Sequence, residues 1–290
     1  MKPAPFRYFA PRSLEEALHL LAEHGDEAKP LAGGQSLVPA MNFRLARPGV
    51  LVDLNRVAEL AYVTADGGAL RIGAMTRQRA AERHPLVLAR APLLAEALGH
   101  VAHPQIRNRG TVGGSLAHAD PAAELPAVAL ALDATLTLRR AGGERRVRAA
   151  EFYVGLFATA LVPGELVSEV SFPALAPGTG VAFEEISRRH GDYALVGAAA
   201  VVRLDESGRI AECSLCYLSV GETPLLATSA TAELAGTTPS ESGFERAAAA
   251  AAAAADPSSD IHASSDFRRH LMRVLGSRAL ARAARRAAPH

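Results

Sequence analysis

Three observations on the sequence predict an α+β fold. A strand-like run, a twin-glycine turn and a helix-like run follow one another twice, around Gly33-Gly34 and around Gly113-Gly114. Beyond Pro177-Gly178 the pattern becomes apolar strands, two of them joined by Asp205-Glu206-Ser207-Gly208, which is a hairpin signal. An alanine-rich run and an amphipathic segment, both of helical period, close the chain. Together these predict a two-part N-terminal α/β region, divided into 1–57 and 58–176, followed over 177–290 by a small antiparallel sheet with helices.

The elements are justified in chain order. Ser13-Leu14-Glu15-Glu16 has the form of a capping box, in which the serine oxygen and the glutamate each satisfy an amide at the helix start. Leu14, Ala17, Leu18 and Leu21 then share one face, and Gly25 stops the helix. Residues 29–32 read as a short strand entering the first glycine turn, 37–45 as a helix and 50–53 as a strand. Short strands are expected at 60–64 and 70–72, and helices near Arg77 and Leu93. Residues 121–132 have the continuity of a buried helix with proline in its first turn, and 134–138 alternate as a strand does. This second part ends near Phe172-Pro173. Strands at 181–186, 194–204 and 210–220 follow, then a helix over the alanines 247–255. In the last helix Phe267, Leu271, Val274 and Leu275 define the apolar face. Arg268, Arg269, Arg273, Arg278, Arg282, Arg285 and Arg286 occupy the others, read as a solvated face or a subunit contact.

Composition narrows the function classes. With 290 residues and 49% hydrophobic content, the chain can bury a sizeable core and divide into two or three domains. Its net charge of +1 creates no global field for nucleic acid or an anionic membrane. The first residues lack the apolar core of a secretory signal, and no run approaches the roughly 18 apolar residues of a membrane span, so a cytoplasmic location is expected. Cys213 and Cys216 have C-x-x-C spacing, but in a strand residues three apart face opposite ways, so ordinary buried thiols are expected. Two cysteines also fall short of the four that an iron–sulfur cluster normally takes.

The glycine turns carry the chemistry. Paired glycines take positive φ and let backbone amides converge on an anion, so two such turns are expected to clamp a pyrophosphate, helped by the hydroxyls of Ser36, Thr111 and Ser115. Neither G-x-G-x-x-G after a strand nor G-x-x-x-x-G-K-[ST] occurs, so Rossmann and P-loop readings lose their main support. His103, His118 and Asp120 flank the second turn without metal-ligand spacing, so no metal site is expected. Arg107 and Arg109 read by default as solvated loop residues. Neither turn has the G-x-S-x-G form of a nucleophile elbow.

The segments KPLAGGQSLVPAMNFRLARPGVLVDLNRV (29–57) and HPQIRNRGTVGGSLAHADPAAELPAVALALDA (103–134), with FEEISRRHGDYALVGAAAVV (183–202) and DIHASSDFRRHLMRVL near the end, closely resemble the FAD-binding medium subunit of the molybdenum hydroxylases, the family of aerobic carbon monoxide and xanthine dehydrogenases. The resemblance covers nearly the whole chain and makes the N-terminal two-part region an FAD-binding one. It implies that Leu31, Ala32, Gly33, Gly34, Gln35, Ser36 and Leu37, with Thr111, Val112, Gly113, Gly114 and Ser115, line the FAD pyrophosphate. It places Glu124 near the adenosine ribose, a role open beside the plainer one of a helix N-terminal charge. Val101 and Val167 match positions that touch the cofactor in relatives, although their own chemistry says core. Tyr193 is implied to lie against the isoalloxazine ring, with Asp192 nearby, gating the electron acceptor; read alone, a tyrosine opening a strand is packed core. Relatives frequently place a lysine near position 184, where this chain has Glu184.

Three functions compete. The resemblance implies an electron-transfer subunit: a molybdopterin-containing large subunit oxidises substrate, a small subunit with two 2Fe-2S clusters relays electrons, and FAD here delivers them to NAD, a quinone or oxygen. The expected assembly is a dimer of heterotrimers. A self-contained FAD oxidase or reductase of the vanillyl-alcohol oxidase type ranks second, because the segment after 177 shows no cluster of acid, base and aromatic groups. A scaffold that has lost its cofactor ranks third, since both turns and Tyr193 are intact. The AGGQS form is nearer the carbon monoxide dehydrogenase branch but is shared with aldehyde and heterocycle hydroxylases, so it names no substrate.

Overall fold

The structure is a computed structural model describing residues 2–288. The chain starts with β1 (Arg7–Phe9), α1 (Leu14–His24), β2 (Ala28–Leu31), α2 (Leu37–Asn42) and β3 (Val50–Asp53). The strands form a parallel sheet in the order β1-β3-β2. Parallel neighbours require crossovers, which α1 and α2 supply. The Ser13 hydroxyl accepts the Glu16 amide at 3.1 Å, and Leu14, Ala17, Leu18 and Leu21 are buried with Val50, Val52 and Leu54. The second helix ends at Asn42 instead of reaching Leu45, because Arg44 turns out of it at φ 60° and Phe43 and Leu45 have no core to enter.

Next come β4 (Val63–Asp66), β5 (Ala69–Gly73) and six helices: α3 (Gln78–Arg83), α4 (Pro85–Arg90), α5 (Pro92–His100), α6 (Pro104–Arg109), α7 (Val112–His118) and α8 (Glu124–Ala131). They are followed by β6 (Thr135–Arg140), β7 (Gly143–Arg148), α9 (Ala149–Phe152), the small hairpin β8 (Tyr153–Gly155) and β9 (Ala158–Thr159), and β10 (Leu166–Phe172). The order β4-β5-β10-β6-β7 is antiparallel throughout. Leu70, Ile72, Leu136 and Leu138 from the sheet bury against Leu93, Leu94 and Leu98 of α5 and Leu125 and Val128 of α8. Two expectations shift here. Ala58–Leu60 is a 3-10 turn, so the strand starts at Val63. α8 begins at Glu124 because the Asp120 carboxylate accepts the Ala122 amide at 2.9 Å and holds a turn ahead of it.

The last part contains β11 (Thr179–Ser187), β12 (Ala194–Leu204), β13 (Ile210–Leu218) and β14 (Leu225–Leu226) in an antiparallel meander, then α10 (Thr228–Ala232), α11 (Glu241–Ala254) and α12 (Ser265–Ala287). One face of this sheet carries α11 and α12, and the other packs on α5 and α8. Cys213 and Cys216 lie on its two faces, Cys216 in the core shared with α8 and Cys213 beside the core shared with α12. The reading of α12 needs correction. Phe267 is exposed and Val274 only half-buried, whereas Arg268 is buried: its guanidinium donates to the Leu195 and Ser219 carbonyls and to Asp260 at 2.7 Å. Arg282 pairs with Glu96 and Glu184, and Arg286 with Glu96, so part of the basic face is an intramolecular clamp onto α5.

Candidate functional site

The two glycine turns meet in space. A Cβ on Gly33 would lie 2.5 Å from the Arg109 carbonyl oxygen and 2.7 Å from the Gly110 Cα, and one on Gly114 would lie 3.2 Å from the Ala32 Cβ. Only glycine lets the loops approach so closely. Gly34 turns at φ 73°, and the Gln35 side-chain amide donates to the Gly33 carbonyl at 3.0 Å.

The turns are not equivalent donors, which corrects the expectation that both offer amides. The second turn is the start of α7, whose first amides have no partner within the helix. Here the protein supplies them: Val112 donates to the Thr76 carbonyl, Gly113 to the Ala74 carbonyl, Gly114 to the Thr111 hydroxyl oxygen and Ser115 to the Thr111 carbonyl, at 2.9–3.1 Å. Thr111 is therefore the buried N-cap of α7 and not a free hydroxyl on the cradle. The amides of Gly33, Gly34, Gln35, Ser36 and Leu37 have no protein acceptor among the described residues. The first turn therefore keeps its amides unpaired, and the second packs closely against it.

Two residues that the sequence did not single out fix the first turn. Asn55 donates to the Ala32 carbonyl at 3.0 Å, and Arg77 donates to the Asn55 side-chain oxygen at 2.6 Å and to the Arg109 carbonyl. Burial, then the neighbouring Arg109, holds the Arg77 pKa below its ordinary value. Arg77 has no carboxylate in ion-pair contact among the described residues, so a cation lies beside the free amides. No motif surrounds Asn55 or Arg77; only their positions after β3 and β5 bring them together.

The remaining sequence candidates fall into two groups. Val101 and Val167 have their side chains in the core, and the Val101 carbonyl accepts from Arg107 at 2.7 Å. The carbonyl of Ser168, next to Val167, receives the Ala74 amide, so this strand forms the floor under the second turn. Arg107, read as a solvated loop residue, is buried and also binds the Ala102 carbonyl and Glu82. His190-Gly191-Asp192-Tyr193 folds back on the start of α6: a Cβ on Gly191 would lie 2.6 Å from the His103 Nδ1, and the His103 and His190 rings are 6.2 Å apart. Tyr193 is 71% exposed on this loop, so the packed-core reading fails. Partial burial, then the charges of Asp120 and Glu124, raises its pKa. Glu124, 8% exposed at the start of α8, is pushed up to about 7, first by burial. Among the described residues no group of three or more His, Cys, Asp or Glu is placed to hold a metal ion, and no helix is long and apolar enough to cross a membrane.

Comparison with known proteins decides the family. Residues 4–175 match the FAD binding domain in molybdopterin dehydrogenase, and residues 181–283 match the CO dehydrogenase flavoprotein C-terminal domain. The chain belongs to the FAD-binding medium subunits of the molybdenum hydroxylases. It is 47% identical, over 100% of its length and 98% of the relative's, to the 6-hydroxypseudooxynicotine dehydrogenase complex subunit alpha of Paenarthrobacter nicotinovorans. It is 39% identical to the carbon monoxide dehydrogenase medium chain of Hydrogenophaga pseudoflava, over 97% of each chain. The solved carbon monoxide dehydrogenase from Hydrogenophaga pseudoflava superposes with a TM-score of 0.96, covering 99% of this chain and 100% of that one at 40% identity. Quinoline 2-oxidoreductase from Pseudomonas putida 86 gives 0.94 at 40% identity, with 99% of each chain covered.

This medium subunit is a component of an oxidoreductase, and FAD is its cofactor. Its residues fit that group. The unpaired amides of the first turn and the Arg77 guanidinium suit a pyrophosphate, and Gly33 and Gly114 leave the close approach that a Cβ would fill. A buried carboxylate oxygen of Glu185, without a hydrogen-bond partner, awaits a donor of the kind that a sugar supplies.

Proposed function

We propose that this medium subunit takes electrons from a small subunit with two 2Fe-2S clusters, in a complex whose molybdopterin-containing large subunit oxidises the substrate, and passes them to NAD, a quinone or oxygen. FAD, when bound, supplies the ability to exchange electrons singly or in pairs. The chain's own residues position it. The amides of residues 33–37 hold the pyrophosphate, with Leu31 and Ala32 leading into that turn, and residues 111–115 act as buttress. Glu124 takes the ribose, and Val101 and Val167 support the pocket from the core. Tyr193, with Asp192, covers the exposed edge where an acceptor would enter. The division at 57/58 and 176/177, a dimer of heterotrimers and a cytoplasmic location belong to the same reading.

One observation carries it: free amides stand beside a cation in the first turn, with an exposed tyrosine on a loop packed against His103. The relatives support a subunit over a self-contained oxidase, because the match runs through 98% of a protein that is itself a complex subunit. They are named for oxidising 6-hydroxypseudooxynicotine, carbon monoxide and caffeine, yet share 47%, 39% and 42% identity with this chain. We infer that the substrate is chosen by the large subunit. Coexpression with the neighbouring open reading frames tests the proposal. A large molybdopterin-type chain and a small chain with eight cysteines are expected to coelute with the yellow protein. Substrate turnover by the isolated chain would overturn it in favour of the self-contained oxidase.

A further inference from the structure

Glu185 lies on β11, where side chains alternate between two cores. Val181 and Phe183 enter the core shared with α5 and α8, while Ala182 enters the one shared with α12, beside which Ile186 packs. Glu184 follows the second set and pairs with Arg282 of α12 at 3.0 Å. The period of two puts Glu185 with Val181 and Phe183, toward the cofactor-binding half. Its Oε2 is buried and has no hydrogen-bond partner.

The register brings a second carboxylate to the same end of the sheet. Glu185 stands opposite Gly197, Gly197 opposite Leu218, and the next residue, Ser219, donates to the carbonyl of Pro121, in the turn that leads into α8 and Glu124. Gly197 leaves the middle of this row without a side chain of its own. Glu124, more than nine-tenths buried, receives a hydrogen bond only from its own amide among the described residues. The other charged or titratable groups acting on the pair are Asp120 from the turn before α8, Arg107 from α6 and Tyr193 from the loop before β12. Arg107 is committed to Glu82 and two carbonyls, and the Tyr193 hydroxyl, the other donor that acts on Glu124, makes no hydrogen bond to either carboxyl among the described residues.

The buried Glu124 carboxyl and the half-buried Glu185 with its buried, unpartnered Oε2, one from each side of the joint, suit a ligand rich in hydroxyl donors. We propose that Glu185 is a polyol-binding carboxylate of the cofactor pocket, its Oε2 accepting a hydrogen bond from a sugar hydroxyl of bound FAD while Glu124 accepts from a neighbouring one. The proposal rests on the reading that FAD occupies the pocket beside the first glycine turn. The ribityl chain and the adenosine ribose carry the same chemistry, and FMN and ADP separate them.

The test titrates the flavin-free chain with FAD, FMN and ADP by calorimetry, for wild type, Glu185→Leu and Glu185→Gln. At about pH 9, where the Glu185 carboxyl is ionised, a hydrogen bond to this charged acceptor implies a loss of roughly ten- to a hundredfold in FAD affinity for Glu185→Leu, shared by FMN if the ribityl chain is the donor and by ADP if the ribose is. Melting of the flavin-free Glu185→Leu chain is expected at or above the wild-type temperature, because an orphaned carboxylate has been removed, and a structural residue would not give these opposite signs. Wild-type affinity in Glu185→Leu, or weakened binding with lowered melting, overturns the proposal. Should Glu185→Leu not fold, Glu185→Gln decides: a clear loss supports the role and an affinity within about twofold of wild type removes it. If the wild-type chain takes up no FAD, the functional reading itself fails; if it does and the Glu185 variants match it, only this inference falls.

Discussion

The free energy of the cofactor cradle turns on which amides the protein has already used. In the second turn all four are satisfied by Thr76, Ala74 and Thr111, so their contribution is to stability, while the amides of the first turn have no protein acceptor among the described residues. Gly33 is where the two meet. Gly33→Val would drive a branched side chain into the Arg109 carbonyl and Gly110, so overpacking of about 1–3 kcal/mol and loss of stoichiometric FAD are expected together. Gly114→Val acts differently: its Cβ would lie 2.7 Å from the Thr111 hydroxyl oxygen, displacing the α7 cap that is worth about 1 kcal/mol, and should also abolish flavin binding. Urea unfolding and the flavin absorbance of the purified variants measure both, and a fully yellow Gly33→Val protein would sink the placement. Tyr193 is the contrasting case. Being 71% exposed, Tyr193→Ala should change stability by under about 0.5 kcal/mol and keep its FAD, yet alter steady-state kinetics toward the acceptor. Unchanged kinetics would remove its gating role.

Elements show where a sequence can be read and where it cannot. α1, β3 and β12 fall where capping and periodicity put them, because each buries an apolar face of its own beside a clear stop. β7 was invisible: Gly143–Arg148 buries only Val147 and is a strand because β6 offers it an edge. The cradle splits the same way. The glycines were legible since close approach requires them, but the use of their amides depends on Thr76 and Ala74 carbonyls, which no local pattern reveals. Nor does a pattern reveal Asn55 and Arg77, joined only by tertiary structure. The basic face of α12 misled for a related reason, since charge period cannot distinguish solvent from a buried partner. Arg268 ties α12 to β12 through the Leu195 carbonyl and to the end of β13 through that of Ser219. Arg268→Met keeps the volume but leaves those carbonyls and Asp260 unpaired, so a loss of about 2–3 kcal/mol in urea unfolding is expected. A loss below about 0.5 kcal/mol would show the surface behaviour that the sequence suggested.

Across the whole molecule, the joint between the cofactor-binding half and the C-terminal sheet contains two carboxyl groups that folding keeps protonated. Burial pushes Glu124 up to about 7; burial, and then the charge of Glu124, pushes Glu185 up to about 8. In the unfolded chain both release their protons near 4.5. The folded state therefore binds more protons between those values, and its stability must fall as pH rises through the interval. Below about 4.5 this contribution is complete; it is lost as pH passes the folded values. Glu82, Glu165 and Asp260 have lowered pKa values and behave oppositely, losing their contribution only in acid. His100, lowered by burial from 6.5, adds stability as pH rises toward that value, and the thiols of Cys213 and Cys216, raised by burial from 9.0, subtract from it only as pH nears 9, so the joint sets the slope between about pH 7 and 8.5. The flavin-free protein should thus unfold at progressively lower urea concentration from about pH 7 to 8.5, and Glu185→Gln should flatten the upper part of that decline. FAD should flatten it too, because sugar hydroxyls give the ionised carboxylates the donors that the protein withholds. A urea midpoint that is constant or rises over this range would show that the two carboxyls ionise freely in the folded chain, and with that the joint would lose its role as the acidic wall of the pocket.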